Sequence, residues 1–158
     1  MDAATRMALI QHYRDGYRAV AEALARIPEN EMDLCRDPGD TWSPRRIVHH
    51  LADSEMTSAL RLRRLIAEER PEIMAYDEQL WANSLYYDER PIGPSLDALA
   101  AARASTADIL SRLTEAQWAR EGTHSEVGGY SVETWLEIYA AHARDHAAQM
   151  LRAAGKEG

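Results

Sequence analysis

Cysteine is almost missing from this chain of 158 residues, because Cys35 is the only one. A single thiol excludes an intrachain disulfide and a zinc site built from several cysteines. Long apolar segments are missing too: no eighteen consecutive residues are apolar, and the N-terminus lacks a basic stretch followed by an apolar one. We therefore predict a cytoplasmic protein without an export signal or a membrane-spanning segment.

Positive charge is also in short supply. The 18 Lys and Arg residues are outnumbered by 26 Asp and Glu residues, which gives a formal net charge of -8. Nucleic-acid binding depends on clustered cations that contact phosphates. The clusters "PRRI" and "RLRR" are too short and too interleaved with apolar residues to provide them. We expect no nucleic-acid or membrane partner, and a small molecule as the substrate.

Apolar residues make up 46% of the chain, and many recur at steps of three and four, which is typical of amphipathic helices. Four long helices are predicted from these stripes and from their capping residues. They are one over about residues 3–27, one from the cap Ser43 up to Pro71, one from the cap Ser95 to about Leu113, and one of about 23 residues from the cap Ser131. No alternation typical of strands is found. We predict an all-α four-helix bundle, one domain over residues 1–158, with a long crossover between the second and third helices.

Two histidines four residues apart, His142 and His146, lie in the segment "YAAHARDHAAQM". On a helix this spacing places both on one face, and that face is otherwise largely apolar. In one interpretation each imidazole bonds a neighbouring side chain or carbonyl in the core. In the other, the pair binds one metal ion, which also relieves the cost of burying two polar rings side by side.

A metal site needs a third ligand from another element. The second helix offers His49 and His50, which lie about 100° apart around the helix axis, so at most one of them faces the pair. Periodicity does not decide between them and gives His50 only a slight advantage. Three neutral imidazoles leave at least one coordination position open, which is typical of catalytic metal sites.

The block "WSPRRIVHHLADSE", followed downstream by "HARDHAAQM", resembles the DinB-like (YfiT-like) superfamily. The segments "YDEQLWANSLYYDERP" and "GGYSVETWLEIYAAHARDH" also resemble it, so the resemblance covers nearly the whole chain. It implies a four-helix bundle, commonly a homodimer, that binds one divalent metal ion per chain, zinc or nickel first among them. The ligands that it implies are His50, His142 and His146.

The same resemblance implies a metal-dependent hydrolase or a transferase that uses a low-molecular-weight thiol. Two alternatives stay open from the sequence. One is a non-catalytic, stress-associated dimer that binds a metal or another ligand. The other is a structural dimer whose histidines fill the core, since a fold does not by itself determine a reaction.

Further residues are candidates for roles around this site. Asp145 would orient the imidazole of His142, with a solvated carboxylate as the alternative. Arg103 would anchor a substrate carboxylate, unless it forms a salt bridge with one of the many acids. The remaining pocket candidates are Tyr139 on the last helix and Asp77, Glu78 and Trp81 in the crossover. For the crossover residues the alternative is a capped short helix that packs one tryptophan.

Other chemistry has little support in the sequence. His124 lies in the segment "EGTHSEVGGY" and is expected to be structural or exposed, with a role as a fourth metal ligand as the alternative. Cys35 is expected to be a buried small residue or an unreactive thiol. The G-x-S-x-G motif and a glycine-rich phosphate loop are absent, which excludes the familiar serine-hydrolase and P-loop sites. Glu-x-x-His occurs once, in "EGTH", whereas a ferritin-like site needs two.

Overall fold

The computed structural model of the protein describes residues 1–156, which form six α-helices, one turn of 3-10 helix and a small sheet. In chain order these elements are α1 (Ala3–Leu24), the 3-10 turn (Glu29–Glu31), α2 (Pro44–Ala67), β1 (Glu72–Ile73), α3 (Glu78–Ser84), α4 (Ile92–Leu110), α5 (Glu115–Trp118), β2 (Glu121–His124), β3 (Gly128–Ser131) and α6 (Val132–Ala153). The four long helices α1, α2, α4 and α6 form a bundle, which confirms the predicted fold class.

The order of the helices around the bundle differs from their order in the chain. Helix α1 packs against α4 and α6, and α2 packs against the same two helices. Consecutive helices α1 and α2 are therefore diagonally opposite. The crossover from α2 to α4 carries β1 and α3. As a result α2 and α6, which carry the histidines of interest, are direct neighbours.

Serine caps set the start of both of these helices. The Ser43 hydroxyl accepts a hydrogen bond from the backbone N–H of Arg46 (3.3 Å), and Pro44 occupies the first helical position. The Ser131 hydroxyl accepts one from the backbone N–H of Thr134 (3.0 Å). Both caps confirm the predicted starts, and a fixed start determines which residues of each helix face inward.

The apolar stripes of the long helices face the bundle interior in two clusters. One surrounds Trp135 and Tyr13, and the other surrounds Ile47, Leu51 and Met150. The outer faces of these helices are mostly polar, although four large apolar side chains are exposed on them: Met7, Met56, Leu60 and Ile138. Among residues 1–156, no helix is both long enough and apolar enough to cross a membrane.

The third long helix begins at Ile92 rather than at Ser95, so the predicted cap was wrong. Pro94 lies in the first turn of α4, where a missing N–H costs no helical hydrogen bond. The prolines of "RPIGP" thus precede and open the helix. Ser95 is buried, and its hydroxyl is 2.8 Å from His49 Nδ1.

A three-stranded sheet in the order β1-β2-β3 corrects the prediction that strands are absent. Strand β1 runs parallel to β2, and β2 runs antiparallel to β3. The strands are only two to four residues long, which is too short to show an alternating pattern in the sequence. The sheet ties the crossover to the start of α6.

Candidate metal centre

Three histidines meet where α2 and α6 are neighbours. His146 Nε2 lies 3.2 Å from His50 Nε2 and 3.2 Å from His142 Nε2. One ligand atom from each ring lies within 4.8 Å of the other two. Within residues 1–156 this is the one such group of three or more His, Cys, Asp or Glu side chains. The sequence candidates His50, His142 and His146 are thus brought together.

The donor set and its spacing suit a divalent metal ion. In a tetrahedral site with zinc–nitrogen bonds of 2.0–2.1 Å, neighbouring nitrogen atoms are about 3.3 Å apart. The two separations of 3.2 Å agree with that distance. Imidazole nitrogen also suits nickel, copper and iron, so the ligands alone accept several ions.

Burial keeps these imidazoles neutral. It lowers the pKa of His50 to about 3, and the neighbouring His146 adds to the effect. It lowers the pKa of His142 to about 2, with smaller contributions from His146, His50 and the charge of Arg103. The pKa of His146 is also lowered by burial. Because a metal binds the deprotonated ring, the cluster is ready for a cation at neutral pH.

Aromatic side chains fix the orientation of two of the rings. The indole of Trp42 meets the His50 ring edge-on, with ring centroids 5.3 Å apart and an interplanar angle of 90°. The Tyr139 ring lies 5.4 Å from that of His142. Tyr139 therefore borders the centre, as the sequence suggested, through its ring.

A cavity of about 260 Å³ opens beside His50 and His146. Its other lining residues come from the loop before α2, from the start of α3 and from α6; they are Asp40, Trp42, Glu78, Gln79 and Gln149. The lining thus includes two carboxylates, and among the described residues it includes no Lys or Arg. A larger cavity of about 450 Å³ between α1, α4 and α5 has no histidine in its wall.

Comparison with known proteins identifies the family. The family model described as the DinB superfamily matches residues 12–150. The chain belongs to the DinB superfamily. The fold of this DinB protein is similar to that of YfiT from Bacillus subtilis, which is described as "a probable metal-dependent hydrolase with an unusual four-helix bundle topology". That comparison has a TM-score of 0.87 at 25% identity and covers 99% of this chain and 91% of YfiT.

Two related proteins carry the name "putative metal-dependent hydrolase". One, from Oceanobacillus iheyensis, is 36% identical over 82% of this DinB protein and 78% of the relative. The other, from Geobacillus thermodenitrificans, is 30% identical over 96% of this chain and 84% of the relative. These comparisons confirm the family that the sequence motifs indicated.

The crossover lies beside the three histidines, where Glu78 lines the cavity, and Asp77 and Trp81 take the alternative roles of a helix cap and a packed tryptophan. Asp77 caps α3, and its carboxylate accepts a hydrogen bond from the backbone N–H of Leu80 (2.8 Å). Trp81 stacks on Tyr76 with ring centroids 4.2 Å apart. Neither lines the cavity, whereas Glu78 between them does. Asp77 is engaged as the N-cap of α3, and the ring of Trp81 is turned onto Tyr76.

Arg103 does not anchor a substrate in this structure. Its side chain is 2% exposed, and Nη1 donates to Glu55 Oε2 at 2.6 Å. The salt bridge given as the alternative is therefore correct. A guanidinium that is fully buried and already paired has no free donor face for a ligand entering from the cavity beside His50.

Asp145 is exposed on α6 and makes no hydrogen bond with His142 among the described residues. The residue that does bond a ring nitrogen of the centre is Gln149, which sequence reasoning did not assign. A signal for it existed, because Gln149 lies three positions after His146 on the same helical face. Asp40, its partner, lies in an irregular loop without periodicity.

Three remaining candidates lie apart from the centre. His49 faces away, with Nδ1 beside the Ser95 hydroxyl and Nε2 3.1 Å from a backbone carbonyl. His124 packs on Tyr130, with ring centroids 5.4 Å apart, and does not join the cluster. Cys35 is exposed, so the prediction of a buried small residue was wrong, and the alternative of an unreactive thiol stays a prediction.

Proposed function

We propose that this DinB protein is a divalent-metal-dependent hydrolase whose ion is held by His50, His142 and His146. The observation that carries the proposal is the convergence of three neutral imidazole nitrogens beside an open cavity. The names of its relatives support the same reaction class. When bound, a divalent ion would supply Lewis acidity, which assists hydrolysis near neutral pH.

Glu78 is the residue that we assign to proton transfer. It is exposed at the cavity wall, and its negative charge acts on His146. Among the described residues it forms no hydrogen bond or ion pair through its carboxylate. A free carboxylate at this place accepts the proton of an attacking nucleophile and returns it to the leaving group.

The electrostatics of the cavity restrict the substrate class. Asp40 and Glu78 line it, and no described Lys or Arg does, although the charge of Arg152 acts on Asp40. A bound divalent ion would attract negative charge at the reacting bond, whereas the carboxylates of the wall disfavour a negative group on the part of the substrate that lies along them. The indole N–H of Trp42 donates to Gln79 Oε1 (3.2 Å), which closes one side with an aromatic surface. We infer that the substrate is an ester or amide whose portion along this wall is neutral or positively charged.

The test uses the whole chain loaded with zinc, nickel or manganese and three chromogenic probes. Alanine p-nitroanilide is cationic, p-nitrophenyl acetate is neutral, and p-nitrophenyl phosphate is anionic. We expect metal-dependent turnover of at least one of the first two probes, and faster than that of the third. His142→Ala should abolish it, and Glu78→Gln should lower it by about 10²- to 10⁴-fold, as for the loss of a general base.

Other results would redirect the function. Turnover that appears only with added cysteine or glutathione would indicate a thiol-dependent transferase. Stoichiometric metal without any turnover would favour the non-catalytic binding protein. Preference for the anionic phosphate probe would contradict the substrate class inferred from the cavity.

A further inference from the structure

Gln149 connects His146, a candidate metal ligand, to the carboxylate of Asp40, which is distant in sequence but lines the same cavity. His146 Nδ1 lies 2.5 Å from Gln149 Oε1, and Gln149 Nε2 donates to Asp40 Oδ2. An ionised carboxylate only accepts hydrogen bonds, so the amide nitrogen of Gln149 must face Asp40 and its oxygen must face His146. That oxygen is also an acceptor. His146 therefore carries its proton on Nδ1, and the Nε2 lone pair points at the other two histidines.

The other carboxylate oxygen of Asp40 holds the backbone at Trp42, whose indole packs against a second imidazole, that of His50. Oδ1 accepts hydrogen bonds from the backbone N–H groups of Thr41 (2.7 Å) and Trp42 (3.0 Å). These bonds fix the chain just before α2, where the Trp42 indole meets the His50 ring edge-on. Asp40 thus influences two of the three imidazoles indirectly. One oxygen acts on His146 through Gln149, and the other acts on His50 through Trp42.

Asp40 is ionised at neutral pH, as this arrangement requires. Burial alone would raise the pKa of its carboxyl, but the hydrogen bonds from Gln149, Trp42 and Thr41 hold the pKa below its ordinary value. The carboxylate has both oxygens engaged. Asparagine, with one acceptor oxygen, can satisfy only one of the two sides.

We propose that Asp40 and Gln149 are positioning residues for the metal centre. Gln149 holds His146 in the Nδ1–H tautomer, so that Nε2 is presented to a divalent cation, while Asp40 orients Gln149 and holds Trp42 against His50. The inference rests on the proposed function only for the presence of the metal. Outer partners of this kind are typically worth about 10- to 100-fold in metal affinity.

The experiment combines two readouts on the full chain. Long-range ¹H–¹⁵N NMR of metal-free protein at pH 7.5 reports which ring nitrogen of His146 is protonated. Competition with a chromogenic chelator gives the affinity for zinc and for nickel. We expect Nδ1–H in the parent, a mixture of tautomers in Gln149→Leu, and an affinity about 10- to 100-fold lower in that variant.

Two further variants separate positioning from packing. Gln149→Glu keeps an acceptor beside Nδ1 and should retain the parent tautomer. Asp40→Asn should lower the affinity less than Gln149→Leu does.

The exposed Gln11–Asp15 side-chain hydrogen bond on α1 provides the matched control, since it is the same residue pair without a histidine. Gln11→Leu should change neither the tautomer nor the affinity.

A proton on Nε2 of His146 in the metal-free parent, or unchanged affinity in Gln149→Leu, would overturn the positioning role of Gln149 and Asp40. If the parent binds metal but hydrolyses none of the probes, the proposed reaction is refuted and the positioning role of Gln149 and Asp40 still stands. Failure of the parent to bind zinc or nickel would overturn both.

Discussion

Replacing Arg103 by methionine should destabilise the protein severely, although Arg103 lies outside the metal centre. Its side chain is 2% exposed, and that of its partner Glu55 is 1% exposed. Nη1 donates to Glu55 at 2.6 Å, Nε donates to the Tyr13 carbonyl at 3.1 Å, and the guanidinium lies 4.0 Å from the centre of the Tyr13 ring. A weaker contact reaches the Tyr139 carbonyl at 3.4 Å. Arg103 therefore connects all four long helices.

The expected cost follows from what the substitution leaves behind. Methionine retains most of the apolar volume but removes the one cation within residues 1–156 that is bonded to the buried Glu55 carboxylate. Breaking such a pair by removing one partner costs about 3–5 kcal/mol. Burial already raises the pKa of Glu55, and the charge of Arg103 opposes that rise. In the variant the pKa rises further, so the folded state holds a proton that the unfolded chain releases. Stability is then lost as the pH rises.

Urea unfolding followed by circular dichroism at pH 5 and pH 8 measures both effects. Arg103→Met should lose about 3–5 kcal/mol, with the larger loss at pH 8. Arg112→Met is the control, because its ion pair with Asp108 is exposed and should contribute almost nothing. The double variant Glu55→Leu/Arg103→Met should recover much of the loss. A deficit as small as that of Arg112→Met, or one that does not change with pH, would refute this reasoning.

Two further tests use the buried imidazoles and Gly16, which lies close to Arg103. Because the pKa values of His50 and His142 are lowered to about 3 and about 2, the unfolded chain takes up protons first as the pH falls below about 6.5. The metal-free protein should thus lose up to about 1.4 kcal/mol per pH unit for each ring between pH 6.5 and pH 4 in urea unfolding with a chelator, and His50→Leu should show a shallower slope. Gly16→Ala would place a Cβ 2.5 Å from Arg103 Nη2 and should lower the melting temperature by several degrees, whereas Gly93→Ala, with open space around its Cα, should not. Equal melting temperatures for the two alanine variants would contradict the packing described for Arg103.

The sequence predicted the bundle well because its long helices carry strong local signals. Ser43 and Ser131 act as caps where expected, and the apolar stripes face the core. The errors occur where the local signal is weak, or where one motif is compatible with two different helix starts. Ser95 looks like a cap, yet Pro94 fits the first turn of a helix that begins earlier. The strands are too short for periodicity to reveal them.

The three histidines of the candidate site could be predicted from the sequence, but the residues around them could not. The i, i+4 spacing predicts that His142 and His146 share a face, and family motifs add His50. Partners from irregular loops depend on tertiary packing, which leaves no periodic trace, so Asp40 and its contact with Gln149 were missed. The homodimer, the thiol cofactor and the cytoplasmic location depend on molecules outside this chain and stay predictions.

Metal content tests the central claim most directly. Elemental mass spectrometry would be applied to tag-free protein purified without chelator, beside His142→Ala and the control His49→Gln, whose ring faces away from the centre. We predict about one divalent ion per chain in the parent and in the control, and its loss in His142→Ala. No metal in the parent even after incubation with zinc, nickel and manganese, or equal metal in parent and His142→Ala, would contradict the assignment of a three-histidine metal centre.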